Sequence, residues 1–308
     1  MPTTTNITTT YAGEHAGKFI SASLLTANTI MGGGIEVKPN VKYKEVISVL
    51  NTDDLLKDGT CDFTATSTIT KTEAILEPKS LQVNLQICKE TLRSDWQAVE
   101  MGYSAHDEIP KSFNEYLIGY VSDKTASAVE TAIWQGTAGG DGSFAGFETL
   151  LSLDANLPSA NEVTGTTVTS ANVIAEMGKV LDAVPDTMFG KENLYLYISQ
   201  DVYRKYVRAL GTAGHLDRFN NQSLDNVVFD GVKVFVANGM SANTMICTYK
   251  ENLFFGTGLL ADHNEVSVID MAMIDGSQNV RYVARFTAGV VYANVEDIVT
   301  YGIVNALN

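Results

Sequence analysis

The chain has 308 residues, 45% of them hydrophobic and 19% charged, with 21 basic against 36 acidic side chains and a formal net charge of −15. That composition is globular, neither that of a disordered chain nor that of a membrane protein, and its acidity (pI about 4.6) argues against a protein that grips nucleic acid through a basic face. Single cores stop growing near roughly 250–300 residues, so one elaborate domain or two lobes is expected.

Residues 1–42 begin Thr-rich and end in Gly32, Gly33 and Gly34. Three consecutive glycines hold no fixed conformation without outside support. Phe19, Ile20, Leu24, Leu25, Ile30 and Met31 give this segment something to bury, so it reads as an arm that becomes ordered by lying on another surface. The N-terminus has no basic region of a secretory signal, and "FISASLLTANTIM" is too short and too polar to span a bilayer.

Residues 43–92 read as a long hairpin. "YKEVISVL" alternates in part, Asp58-Gly59 is a turn signal, and "CDFTATSTITKTEAILEP" is rich in Thr and β-branched residues. After Pro78, "SLQVNLQICKETL" places Leu81, Val83, Leu85 and Ile87 on one face. Such a hairpin has too little core to stand alone and needs a neighbour.

"RSDWQAVEMG" predicts a short helix, and "HDEIPKSFNEYLIGYVSDKTASAVETAIWQG" is the strongest helical signal in the chain. Asp107, Glu108 and Pro110 suit its start and Gly136 its end. Phe113, Leu117, Tyr120, Val121, Ala128, Ala132 and Ile133 fall at three- and four-residue steps. Roughly 25 residues make a rod of about 37 Å.

A Gly-rich connector follows, "TAGGDGSFAG" onwards. "SANVIAEMGKVLDAVP" predicts a helix capped by Ser170, with Ile174, Met177, Leu181 and Val184 on one face and a stop at Pro185. "NLYLYIS" is a buried strand, and Ser199 caps a helix running to Gly211. "VVFDGVKVFVA", "NTMICTYKENLFFGTG" and "EVSVIDMAM" are strands with tight turns. "NVRYVARFTAGVVYANVEDIVTYG" closes the chain as two strands hinged at a glycine.

Little in the chain carries chemistry. His15, His106, His215 and His263 form no HxH or HExxH, so zinc has no local support. No GxSxG nucleophile elbow occurs. "TAGGDGSFAG" lacks a phosphate-loop frame and follows a helix instead of opening one. Neither "ADHNE" nor "DD" is long enough for a calcium loop. Arg204, Lys205 and Arg208 on one helix read as a solvated face. Cys61, Cys88 and Cys247 show no CxxC spacing, which reads as reduced thiols of an intracellular protein, with Cys88 a small buried hydrophobe. Catalytic, cofactor and metal residues are therefore not assigned. Arg281 and Arg285 share one face of a strand. Glu296 and Asp297 on the following strand, or acids of another chain, are the candidate partners.

The order of parts resembles the major capsid proteins of tailed double-stranded DNA phages, the Hong Kong-type capsid fold, an α+β fold. The resemblance covers nearly the whole chain. Two stretches carry it locally: "ITKTEAILEPKSLQVNLQICKETLRSDWQAVEMG" and "VRYVARFTAGVVYANVEDIVTYG". It implies an N-terminal arm at 1–42, an E-loop hairpin within 43–92, and a peripheral lobe over 93–169 with a spine helix at 107–136. It further implies an axial lobe at 170–270 and return strands of the peripheral lobe at 271–308. On this resemblance the chain self-assembles into homo-pentamers and homo-hexamers of an icosahedral or prolate shell. That shell is built in the host bacterial cytoplasm and ends in the virion. The expected partners are further copies of itself, a separate scaffold protein, a portal and decoration proteins. Packaged DNA is met only by weak non-specific contact, and no membrane partner or cofactor is implied. Intersubunit contacts are expected at Phe19, Leu24, Leu25, Lys57, Phe63, Ile69, Lys71, Arg281, Arg285 and Glu296. Some relatives weld subunits by a Lys–Asn bond. Lys57, Lys71 and Lys79 lie in the hairpin, but no Asn or Glu here matches that chemistry. The other readings are an encapsulin-like compartment, another phage structural protein and a cytosolic hydrolase.

Overall fold

The computed structural model describes residues 28–52, 68–88, 111–190, 192–214, 227–258 and 266–307, with isolated positions between 56 and 65. The expected helix at 93–102, the cap residues Asp107, Glu108 and Pro110, and all four histidines lie outside the described residues.

In chain order the elements are α1 (Asn28–Met31), β1 (Glu36–Pro39), β2 (Glu45–Thr52), β3 (Ile69–Leu76), β4 (Lys79–Cys88), α2 (Lys111–Gln135) and α3 (Phe147–Ser152). Then come β5 (Glu162–Val163), α4 (Val173–Asp182), β6 (Leu194–Ser199), α5 (Gln200–Thr212), β7 (Val228–Phe229) and β8 (Val232–Ala237). Last are β9 (Met245–Tyr249), β10 (Leu253–Thr257), β11 (Val266–Asp270), β12 (Asn279–Tyr292) and β13 (Val299–Tyr301).

The strands form three sheets among the described residues. One has the order β1-β10-β12-β11, with β4 also paired to β12. A second, of six strands, has the order β5-β13-β9-β6-β8-β7. The third is the β2–β3 hairpin alone. β12 organises the first sheet. Its alternation buries Val280, Tyr282, Ala284, Phe286 and Ala288 and turns Arg281 and Arg285 outward. β4 pairs along it from Lys79 opposite Ala288 to Cys88 opposite Asn279.

The C-terminal stretch is therefore not two strands hinged at a glycine. β12 runs unbroken through Gly289, where an added Cβ would lie 2.9 Å from the Pro78 Cα. The glycine is required by that close approach of backbone. The short β13 leaves for the six-stranded sheet, pairing β9 and β5. Likewise the 170–270 segment is shared between sheets: β6 to β9 build the six-stranded one, while β10 and β11 pair with β12.

α2 spans 25 residues, as its sequence predicts, and the Gly136 amide closes it on the Ala132 carbonyl at 3.0 Å. Of the expected face, Val121 and Ile133 are buried and Ala132 is half-buried, while the rest of the buried face differs. Ile118, Val121, Val129 and Ile133 form one inward row and Ala126, Glu130 and Trp134 another. Tyr120 is 52% exposed and Ala128 faces out. Small residues along the helix make several stripes look equally apolar, so the pattern alone does not choose between them. The side chains of Phe113 and Leu117 lie outside the described set. α4 begins later than expected, with Asn172 and not Ser170 at its N-cap, and Ile174 is exposed while Val173 and Val180 are buried. The Asn172 carboxamide oxygen accepts from the Thr169 amide instead of capping the helix. The Gly-rich connector holds the short helix α3, which its composition does not signal. α5 is capped as expected, with Ser199 Oγ accepting from the Val202 amide at 3.4 Å.

Two apolar cores share the six-stranded sheet. One is built on α2, α3, β10 and β12 and contains Trp134, Phe147, Phe255 and Phe286. The other lies under α4 and α5 and contains Met177, Leu181, Val202 and Tyr206. Alternation along β6 sends Tyr197 to the first and Leu196 and Ile198 to the second.

Candidate assembly surfaces

Two of the three glycines pack against an aromatic ring of the same chain. Added Cβ atoms at Gly32 and Gly34 would each lie 2.8 Å from the Phe235 ring, and Gly33 has φ 64°. The Tyr197 hydroxyl donates to the Gly34 carbonyl. α1 is pinned beside this point. The Thr29 amide and hydroxyl both donate to the buried Glu130 carboxylate, at 3.1 and 2.5 Å, and Trp134 Nε1 donates to the same hydroxyl at 2.8 Å. A buried carboxylate is tolerable only with such partners. Sequence reading missed this cluster, because nothing local ties Thr29 to a helix a hundred residues away.

The hairpin is the largest feature without a covering element among the described residues. β2 and β3 pair antiparallel from Glu45 opposite Leu76 to Thr52 opposite Ile69. Strand alternation then makes two faces. Ile47 and Leu76 turn inward at the root, against Val41 and Phe254. The other face carries Val46 across from Ile75, Leu50 across from Lys71, and Ile69 near the far end. Leu50 is 68% and Ile69 67% exposed. Ion pairs bind the root, Lys44 to Glu77 at 2.9 Å and Lys38 to Glu45 at 3.8 Å. The Glu77 carboxylate, by hydrogen bond and charge, holds the Lys44 ammonium above its ordinary pKa. Exposed pairs of this kind contribute little stability. Ser48, Glu73 and Lys71 share this face, so its exposed apolar side chains stand among polar ones, and a two-stranded ribbon of this kind is at best marginally stable by itself in water. Both β2 faces carry apolar residues, and that was the sequence signal for it.

The other expected contact residues separate. Phe19, Leu24, Leu25, Lys57 and Phe63 lie outside the described residues. Lys71 pairs with Glu73 at 2.9 Å. Lys79 is committed within the chain, donating to the Gly140 and Ser143 carbonyls at 2.8 Å each. Arg281 does not reach Glu296 or Asp297. Its Nε donates to Gln86 Oε1 across the β4 pairing at 3.1 Å. The Asp297 carboxylate instead accepts from the Tyr249 hydroxyl at 2.6 Å and Asn294 Nδ2 at 3.0 Å. Arg285 is exposed opposite Gln82, and Glu296 is exposed. Arg204 bonds Gln200, and Lys205 bonds Asp201 and Asn243, all on or beside α5. Among the described residues no three His, Cys, Asp or Glu side chains gather as metal ligands. No described helix is long and apolar enough to cross a membrane.

Glu148 on α3 is a further acid, half-buried. It accepts from the Ser241 amide at 2.8 Å, from the Ser241 hydroxyl and from Thr244 Oγ1 at 3.4 Å, tying α3 to the loop between β8 and β9. Burial raises its pKa and these three donors oppose the rise.

No family model matches the chain, and no curated protein matches it in sequence. Solved structures do match in shape. The chain is similar to a subunit of the native GTA particle capsid, at TM-score 0.58 and 14% identity over 97% of this chain and 94% of that one. It is similar to a chain of the satellite phage P4 procapsid including the size determination protein, at 0.56 and 10% over 97% and 91%. A chain of Microbacterium phage Oxtober96 gives 0.56 and 12% over 97% and 95%. A virus-like particle from Pyrococcus furiosus gives 0.52 and 9% over 93% and 97%. With helices and strands mixed as described and likeness running almost end to end, the chain has the α+β fold of phage capsid subunits.

Proposed function

We propose that this chain is the major capsid protein of a tailed phage, assembling through pentamers and hexamers into a closed shell around the genome. The observation that carries the reading is the uncovered hairpin on a capsid-type fold: Val46, Leu50, Ile69 and Ile75 are exposed with no described element to cover them. In this reading the hairpin is the E-loop, laid over a neighbouring subunit. α2 is the spine helix. The sheet of β1, β4, β10, β11 and β12 is the peripheral lobe, and the six-stranded sheet with α4 and α5 is the axial lobe. Arg281 and Arg285 meet acids of a neighbour on the outer face of β12. Head-to-tail contacts that close give rings, and many modest contacts per copy stabilise the whole by multivalency. The acidity of the chain suits a wall that encloses DNA without gripping it. A separate scaffold protein, a portal and decoration proteins complete the assembly, in the cytoplasm of a bacterial host.

A second reading, an encapsulin-like compartment around protein cargo, is supported by the likeness to the Pyrococcus furiosus particle. Negative-stain imaging with mass photometry of the protein expressed alone, and then with its candidate scaffold, tests both. Shells or five- and six-fold rings are expected. Portal, protease and terminase genes beside its own identify the virus, and a cargo-enzyme gene identifies the compartment. A chain that stays at its 33.3 kDa monomer mass under both conditions overturns the assembly reading.

A further inference from the structure

An apolar groove of about 330 Å³ runs between α2 and β4, with Leu81, Val83, Phe144 and Phe286 along one side and Val121 and Ala128 on the helix. A second cleft, of about 430 Å³, lies beside it on the same helix and shares Lys124, Ala128 and Ala132 with it. A third, of about 270 Å³, shares Ser127 and Thr131 with the second and is lined by Asn28 and Glu130. The three follow one another around the exposed side of α2, the first apolar and the third polar. Asn28 lines the polar cleft, so residues 1–27 join the described chain there.

We propose that residues 1–27 of the same chain follow these clefts around α2 in cis and that Phe19 and Ile20 fill the groove between α2 and β4. Reach permits it. The nine residues from Asn28 back to Phe19 span up to about 30 Å when extended. From Glu130 to Val121 the helix rises only about 14 Å, which leaves slack to pass around a cylinder of about 10–12 Å. Charge permits it as well. Between Met1 and Ala27 the acidic and basic side chains are Glu14, His15 and Lys18, and Phe19 to Ala27 carry none. An apolar groove accepts such a segment without burying an unpaired charge. The rival occupants are residues 89–110, the same arm of a second copy, and the hairpin of a second copy. None of them is joined to the described chain beside the polar cleft, as residues 1–27 are at Asn28. The inference does not rest on shell formation, and its readout is taken on dilute single copies.

The test uses the full chain with Cys61→Ser and Cys88→Ser, and adds Ala128→Cys in the groove. Maleimide labelling of the new thiol is compared with and without Phe19→Asp/Ile20→Asp. An arm in the groove predicts labelling at least about tenfold faster in the arm variant, since the thiol is otherwise reached only through opening. Equal rates overturn the proposal, whether they come from an open groove or from cover by residues 89–110. Phe19→Cys paired with Ala128→Cys supplies the second arm of the experiment. On mild oxidation a disulfide within one chain is expected, seen as a faster-migrating monomer band. Links found only between chains assign the groove to a second copy and overturn the cis path, as does the lack of any link. Native circular dichroism and a single cooperative unfolding transition above the labelling temperature in each variant exclude a collapsed fold as the cause. A lowered midpoint in the arm variant is expected from the lost burial.

Discussion

Glu176 sits buried on α4, and its carboxylate accepts from Lys179 Nζ at 2.9 Å, the Tyr301 hydroxyl at 2.8 Å and Thr166 Oγ1 at 3.2 Å. The Lys179 ammonium does most to hold this carboxyl below its ordinary pKa of 4.5, with the hydroxyls adding to it and burial opposing it. A native pKa below the unfolded one means the unfolded chain binds more protons in the acid range. The stability Glu176 contributes is therefore present above about pH 4.5 and lost as pH falls through its native pKa. Glu176→Gln should flatten that acid limb in urea melts taken from pH 6 to pH 3, and an unchanged limb would refute the assignment. Cys247 makes a second residue-scale case. Burial pushes its thiol up to about 12, so almost no thiolate exists at pH 8. A thiol-exchange assay should label the exposed Cys61 in the native protein and reach Cys247 only after unfolding.

At the scale of elements, the hairpin separates folding from assembly. Leu50 faces solvent near the far end of β2, so Leu50→Asp should alter monomer stability by no more than about 0.5 kcal/mol, as exposed substitutions do. The same change places a carboxylate on the proposed contact face and should abolish rings and shells in mass photometry. Normal shells from this variant would remove the outer hairpin face from the interface. Ile47 and Leu76 on the opposite face root the ribbon, and their alternation with Val46 and Ile75 fixes which side stays bare.

For the whole molecule the question is whether two cores behave as one. Trp134 stacks near Phe147 and Tyr197, with ring centroids 5.4 and 5.6 Å away, and Tyr197 stands on the strand whose alternate residues enter the other core. Disrupting either side of β6 thus disturbs both. Scanning calorimetry should show one cooperative transition, and Trp134→Ala should destabilise it by about 3–5 kcal/mol without splitting it. Two resolved transitions would mean that the cores unfold independently.

The sequence by itself determined most of the helices and strands and, to within a residue, where α2 and α5 end, though it missed α3 and the unbroken course of β12. Those properties follow from local periodicity, caps and turn residues, which act over a few positions. The order of these elements, with two local stretches, was also enough to show the resemblance to phage capsid proteins before any contact was known. Only the tertiary structure decided the partners. Arg281 looked ready for Glu296 or Asp297, a short loop away, yet it lies across from Gln86, nearly two hundred residues earlier. Strand alternation says which face is apolar and is silent on what pairs along the edge. The same limit hid the Thr29–Glu130–Trp134 cluster and the departure of β13 to the second sheet. It also hid the buried face of α2, because its small residues leave several stripes equally apolar until β4, β12 and α3 select the one they cover.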